Sequence, residues 1–121
     1  DILEKLQLGD VATRTTRTLA YGRQRLLEIA LALATRPKVL LLDEPAAGVP
    51  KDESAMLFSV ISSLPEDMSI LFIEHDMDIV FRFASRIVVL VAGGLLVEDT
   101  PDAVRSDERV REVYLGQAHH G

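Results

Sequence analysis

Two short apolar runs, each followed at once by charge, constrain this 121-residue chain more than any other feature. Val39-Leu40-Leu41-Leu42 leads directly into Asp43-Glu44-Pro45, and Ile70-Leu71-Phe72-Ile73 into Glu74-His75-Asp76. A run with no polar face is what a central parallel strand looks like, although a buried helical segment gives the same pattern over so few residues. Between and around the runs the apolar period is that of helices. Leu26, Leu27, Ala30, Leu31 and Ala34 mark a largely buried helix from about residue 22 to 35, ended by Arg36-Pro37. Met56, Leu57, Val60, Ile61 and Leu64 mark a second helix, which stops before Pro65, and Met77, Val80, Phe81 and Ala84 a third.

The flanks are less regular. Ile2, Leu3 and Leu6 make a short helical stripe that stops at Gly9, and the polar stretch Asp10 to Thr18 reads as a loop. Ile87 to Val91 and Leu95 to Glu98 flank Ala92-Gly93-Gly94, a strand–turn–strand hairpin with glycines where positive φ is needed. Thr100-Pro101 starts a helix, with Thr as N-cap and Pro at the first helical position. Ser106-Asp107-Glu108 starts the last helix, with Val110, Val113 and Tyr114 on its apolar side; residues 117–121 read as a frayed polar tail. Strands and helices that alternate through short connections predict an α/β fold with a mainly parallel sheet, in which ligands collect beyond the carboxyl ends of the strands. Both acidic groups stand at such ends.

Composition excludes several classes. Without cysteine there is no disulfide framework, cysteine nucleophile, or Cys-based zinc or iron–sulfur site. A net charge of −6 argues against bulk binding to nucleic acid or an anionic membrane. The charge is lopsided: residues 1–38 hold seven basic against four acidic residues, and 39–121 hold six against fifteen. That early excess fits either a solvated helix face or a local anion site. The longest stretch without strongly polar residues, Ile87 to Val97, is short of the roughly 18–20 residues a membrane span needs, and the start resembles no signal peptide.

Three signals carry chemistry. At the tip of the first strand Asp43 and Glu44 emerge together, suited to a hydrated magnesium ion and to a water-orienting base; alone, they also fit a solvated acidic turn. Leu19-Ala20-Tyr21-Gly22-Arg23-Gln24-Arg25 opens the long helix with a glycine-containing turn, where free N–H groups and the helix dipole favour an anion. His75 follows a buried strand between two carboxylates, and Asp76 suits a helix N-cap. A lone histidine there is more often structural. His119 and His120 read as inert.

In order and spacing the three signals resemble the C-terminal half of an ATP-binding cassette (ABC) ATPase. Leu19-Ala20-Tyr21-Gly22-Arg23 resembles the signature loop, Leu40 to Glu44 the Walker B strand, Ala46-Ala47-Gly48-Val49 the D-loop, and Ile73-Glu74-His75-Asp76 the switch-histidine segment. The Leu-Ala-Tyr-Gly signature, Asp43-Glu44-Pro45-Ala46-Ala47-Gly48, Ile73-Glu74-His75-Asp76-Met77, Thr100-Pro101 and Val113-Tyr114-Leu115-Gly116 look most like the ATP-binding subunits of branched-chain amino acid importers. Urea or amide importers and lipopolysaccharide exporters share much of this pattern. A DNA-repair or translation factor of the same superfamily, and a non-catalytic α/β binding module, are the further alternatives.

The resemblance implies a partial P-loop NTPase (RecA-like) core in one domain over 1–121. Residues 1–37 would be the signature part of the helical subdomain, 38–91 the core from Walker B to the switch histidine, and 92–121 a C-terminal hairpin and helices. It implies Glu44 and His75 as catalytic, with Glu44 the base and His75 on the γ-phosphate. Asp43 would be associated with magnesium through water. Ala20, Tyr21, Gly22 and Arg23 would face ATP held by a second ATPase subunit, with Ala47 and Gly48 in the D-loop. Permease subunits, a solute-binding protein acting indirectly and a peripheral place on the cytoplasmic membrane face follow as expectations, with no nucleic acid partner.

Three positions depart from the usual pattern: Ala20 lacks the common serine hydroxyl, Arg23 stands where Gln is usual, and Pro50 replaces an acidic or amide residue of the D-loop. No G-x-x-x-x-G-K-[ST] phosphate loop occurs in the sequence. The nucleotide cradle and the glutamine loop are therefore expected upstream of Asp1, and the chain by itself is expected not to hydrolyse ATP. In the family's sheet the phosphate-loop strand lies between the His75 strand and the Ile87–Val91 strand. Its absence predicts two unpaired edges, and a chain that rearranges at the gap or self-associates.

Overall fold

A computed structural model describes residues 1–115 and divides the chain into two compact units, 1–75 and 76–121. The tail from Gly116, with His119 and His120, lies outside the described residues.

In the first unit α1 (Ile2–Lys5) is followed by two 3-10 turns, Gly9–Val11 and Thr16–Thr18, where the sequence reads as a loop. Leu6, Leu8 and Val11 are buried around these turns. Helix α2 (Tyr21–Leu33) buries Gly22, Leu26, Ile29 and Ala30. Leu31, expected inside, is exposed, and Ile29 takes its place in the core. Arg36 then takes a left-handed φ of 54° just before Pro37, which ends the helical course.

Strand β1 (Val39–Asp43) pairs in parallel with β2 (Ser69–Ile73), and α3 (Lys51–Ser62) connects them. The register sets Leu40 beside Ile70, Leu42 beside Phe72 and Asp43 beside Ile73. Leu57, Phe58, Val60 and Ile61 form the buried side of α3, and the Phe58 ring meets Phe72 edge-on with centroids 5.0 Å apart. Phe58 was not on the expected helix face, whereas Met56, which was, is exposed. The two-sided burial expected of a central strand is also not met. Val39, Leu41, Leu71 and Ile73 are each more than half exposed, because each strand has only one strand neighbour among the described residues and one face of the pair stays uncovered.

The second unit opens with α4 (Met77–Phe83), capped by Asp76, whose carboxylate accepts from the N–H groups of Asp78 and Ile79. Strands β3 (Ile87–Val91) and β4 (Gly94–Asp99) form an antiparallel hairpin with an irregularity between Val89 and Leu90. Its turn has positive φ at Ala92 (49°) and Gly93 (80°). The sequence led us to expect both glycines there, but the two central positions of this tight turn are Ala92 and Gly93, which shifts the left-handed pair by one residue. Thr100 caps α5 (Pro101–Ser106) as expected. The next helical turn, α6 (Glu108–Val110), is capped by Asp107 rather than Ser106 and runs on as a π-helical turn, Arg111–Leu115. Tyr114 donates its hydroxyl proton to the Leu90 carbonyl at 2.6 Å, tying this turn to the hairpin. No helix among the described residues is long and apolar enough to cross a membrane.

Candidate functional site

The parallel register builds the site. Asp43 and Ile73 are the last paired residues, and the Glu44 N–H adds one more bond, to the Ile73 carbonyl at 2.8 Å. The two chains therefore leave the sheet side by side, and Glu44 and His75 emerge together. Glu44 has a left-handed φ of 46°, a conformation unfavourable for a side chain with a Cβ. Such strain persists only where surrounding bonds over-determine it. Here the Ile73 carbonyl holds the Glu44 N–H, and the Glu44 carbonyl accepts from Ala47 at 3.0 Å.

His75 Nδ1 stands 2.9 Å from Glu44 Oε1. An ionised carboxylate only accepts, so Nδ1 carries the hydrogen of this bond and Nε2 is left for another partner. The pair is open to solvent, with the His75 side chain 77% and that of Glu44 48% exposed. Glu74, between Ile73 and His75, turns its carboxylate to the Ala46 N–H at 3.1 Å. The sequence singled out Glu74 only as a neighbour of His75; its bond across to the first strand's turn had no local signal.

Asp43 is exposed, and its carboxylate carries no hydrogen bond or ion pair to a described residue. No group of three or more His, Asp or Glu side chains among the described residues could hold a metal by itself. Magnesium takes one or two protein carboxylates and completes its shell with water and phosphate oxygens, so a single free carboxylate fits this ion.

Beyond Glu44, Gly48 takes a φ of 77° with open space where a Cβ would stand, so the turn asks for glycine on conformational grounds alone. Pro50 is the N-cap of α3 and makes no side-chain cap bond; the Ser54 hydroxyl instead donates back to the Pro50 carbonyl at 3.1 Å.

At the start of α2, Ala20 is the N-cap, with extended backbone and no side-chain cap bond, and Tyr21 is exposed. The Gly22 N–H donates to Glu53 Oε2 of α3 at 3.1 Å. The Arg23 guanidinium turns to Asp10, 2.9 Å and 3.2 Å from its two oxygens, and holds that carboxyl below the ordinary aspartate range. Gln24 donates to the Leu19 carbonyl at 3.0 Å, and Arg25 to the Ala47 carbonyl at 3.3 Å. Sequence reading missed Glu53 altogether, because it lies 31 residues from Gly22 and outside every motif.

The ABC transporter family profile matches residues 1–47, and that of the branched-chain amino acid ATP-binding cassette transporters matches residues 95–120. The chain is 43% identical over 118 residues to the high-affinity branched-chain amino acid transport ATP-binding protein BraF of Pseudomonas aeruginosa, and 42% identical to LivG of Escherichia coli. Each alignment covers 96% of this chain and 46% of the relative, so the chain spans about half the length of the curated relatives it matches. A solved nucleotide-free ATP-binding cassette from an ABC transporter superposes with a TM-score of 0.82 at 32% identity, covering 93% of this chain and 47% of that one. At 42–43% identity over nearly its whole length to these relatives, the chain belongs to the ATP-binding cassette transporter family.

Proposed function

We propose that this chain is the part of a transport ATPase that supplies the water-activating base and the switch histidine. The observation that carries the reading is the 2.9 Å contact between Glu44 and His75 at the carboxyl ends of two parallel strands. Glu44 orients the attacking water and accepts its proton. His75, held by Glu44 through Nδ1, presents Nε2 toward the γ-phosphate, to which the ring donates when both nitrogens carry hydrogen. Asp43 would hold magnesium through water, and the ion when bound would neutralise charge on the phosphate oxygens. Ala20, Tyr21, Gly22 and Arg23 face the nucleotide of a second ATPase subunit, and Ala47 and Gly48 line the same boundary. Arg23 meets that boundary already paired to Asp10, which reduces the charge it can offer.

The matched family and the BraF and LivG names support branched-chain amino acids as the cargo. Permease subunits are then the membrane partners, a solute-binding protein acts through them, and the ATPase sits at the cytoplasmic face. The 121-residue sequence holds no phosphate loop, and we infer that it does not turn over ATP unaided.

The test is Glu44→Gln in a chain of its relatives' full length. ATP should still bind, turnover should fall by about 10²–10⁴, and ATP-bound dimers should accumulate. Unchanged turnover would favour a binding module and sink the assignment.

A further inference from the structure

We propose that Glu53 is a positioning residue for the signature turn: its carboxylate caps α2 from the neighbouring helix, in place of the side-chain oxygen that Ala20 lacks. The proposal rests on the ATPase reading for its effect on turnover, but not for the cap itself. An N-cap side chain ordinarily accepts from the N–H of the second or third helical residue. Ala20 has the extended backbone of an N-cap (φ −60°, ψ 153°) and no oxygen to offer. The second helical residue is Gly22, and its N–H goes to Glu53 Oε2 at 3.1 Å. A carboxylate at this end of a helix is also favoured by the dipole.

Glycine at position 22 suits this contact. A Cβ there would stand 3.1 Å from Glu53 Oε2, 3.4 Å from Glu53 Cβ and 3.8 Å from Val49 Cγ1. Its backbone φ is not positive, so the close approach of Glu53, and not conformation, is what favours a glycine there. A second strap runs parallel to the first, from Arg25 Nη2 to the Ala47 carbonyl at 3.3 Å. Both straps join the first turn of α2 to the Ala47–Glu53 segment, which begins three residues after Glu44. What Glu53 contributes is thus the orientation of the turn that carries Ala20, Tyr21 and Gly22, not a contact of its own to ligand.

The experiment has two arms. In the 121-residue chain, Glu53→Ala should speed hydrogen exchange of the Gly22 amide by about tenfold, and adding Ala20→Ser should restore protection by supplying a local cap. Glu53→Gln, which keeps an oxygen acceptor, should stay within about threefold of the parent. In a chain of the relatives' full length, Glu53→Ala should lower kcat about tenfold with KM for ATP within about twofold, and Glu53→Gln should rescue most of that loss. Glu44→Gln runs beside it and separates the two ideas: if it leaves turnover unchanged the ATPase reading fails, while the exchange arm still judges the cap. Unaltered Gly22 exchange in Glu53→Ala overturns the cap. With Glu44→Gln inactive, an unchanged or raised kcat in Glu53→Ala overturns the positioning role. A Gln variant as damaged as the Ala variant also overturns it, since the carboxylate would then act by charge.

Discussion

The two faces of the β1–β2 pair carry the same kind of residue and meet different surroundings. On one face Leu40 is buried, Ile70, Leu42 and Phe72 are half-buried, and the Phe58 ring closes over Phe72. On the other, Val39, Leu41, Leu71 and Ile73 stand open, with Leu41 69% exposed. Apolar identity therefore records that a position is suited to burial, but not which element buries it. Removing apolar atoms is costly only where neighbours have closed around them.

The largest effect should separate the faces directly. Phe58→Ala removes a ring that is 1% exposed and should destabilise the first unit by about 3–5 kcal/mol, the range for large aromatic truncations in a core. Leu41→Ser, on the open face, should change stability by no more than about 0.5 kcal/mol, as surface substitutions do. Urea midpoints at constant slope measure both. Equal costs would break the comparison, since they would mean that Leu41 is covered in solution.

The tip of the same pair sharpens it. Glu74 is half-buried and its carboxylate holds the Ala46 N–H at 3.1 Å, beside the strained Glu44. Glu74→Ala leaves that donor to water and should cost about 1 kcal/mol, at the low end for a lost partner because the site is not sealed. Glu74→Gln keeps an acceptor and should cost less. If the two variants unfold at the same urea concentration, the Ala46 bond contributes nothing to holding the turn.

These cases show which parts of the molecule were legible in sequence. The strand tips were, because an apolar run that ends in charge fixes both the strand and its exit, and Asp43, Glu44 and His75 need nothing further to be noticed. Thr100 and Asp76 were legible for a similar reason: caps are local chemistry. That Glu44 and His75 touch depends on the register, which no single run encodes. The open face, the left-handed Ala92 and the Glu53 cap were not legible either. Each is decided by a partner distant in sequence or by a turn whose register shifts by one residue. Phe58 was missed for a related reason: it lies beside the helix stripe of Leu57 and Ile61, and its packing on Phe72, fourteen residues on, is not written in the helix period.

The smallest effect belongs to Asp10 and Arg23, where the start of α2 meets the loop before it. The Arg23 hydrogen bond lowers the Asp10 pKa, with desolvation opposing it and the Arg23 charge assisting. A carboxyl depressed in the folded state contributes stability above its unfolded pKa, and that contribution disappears as pH falls through the folded value. The parent should therefore exceed Asp10→Asn slightly in Tm at neutral pH, and the two should converge on acidification below the ordinary aspartate range. Asp10 is 64% and Arg23 34% exposed at the side chain, so water and salt screen the pair and the gap should also narrow in high salt. A gap that persists at low pH would mean that Asp10 acts other than through its charge, and that the Arg23 guanidinium is freer in solution than its present contact implies.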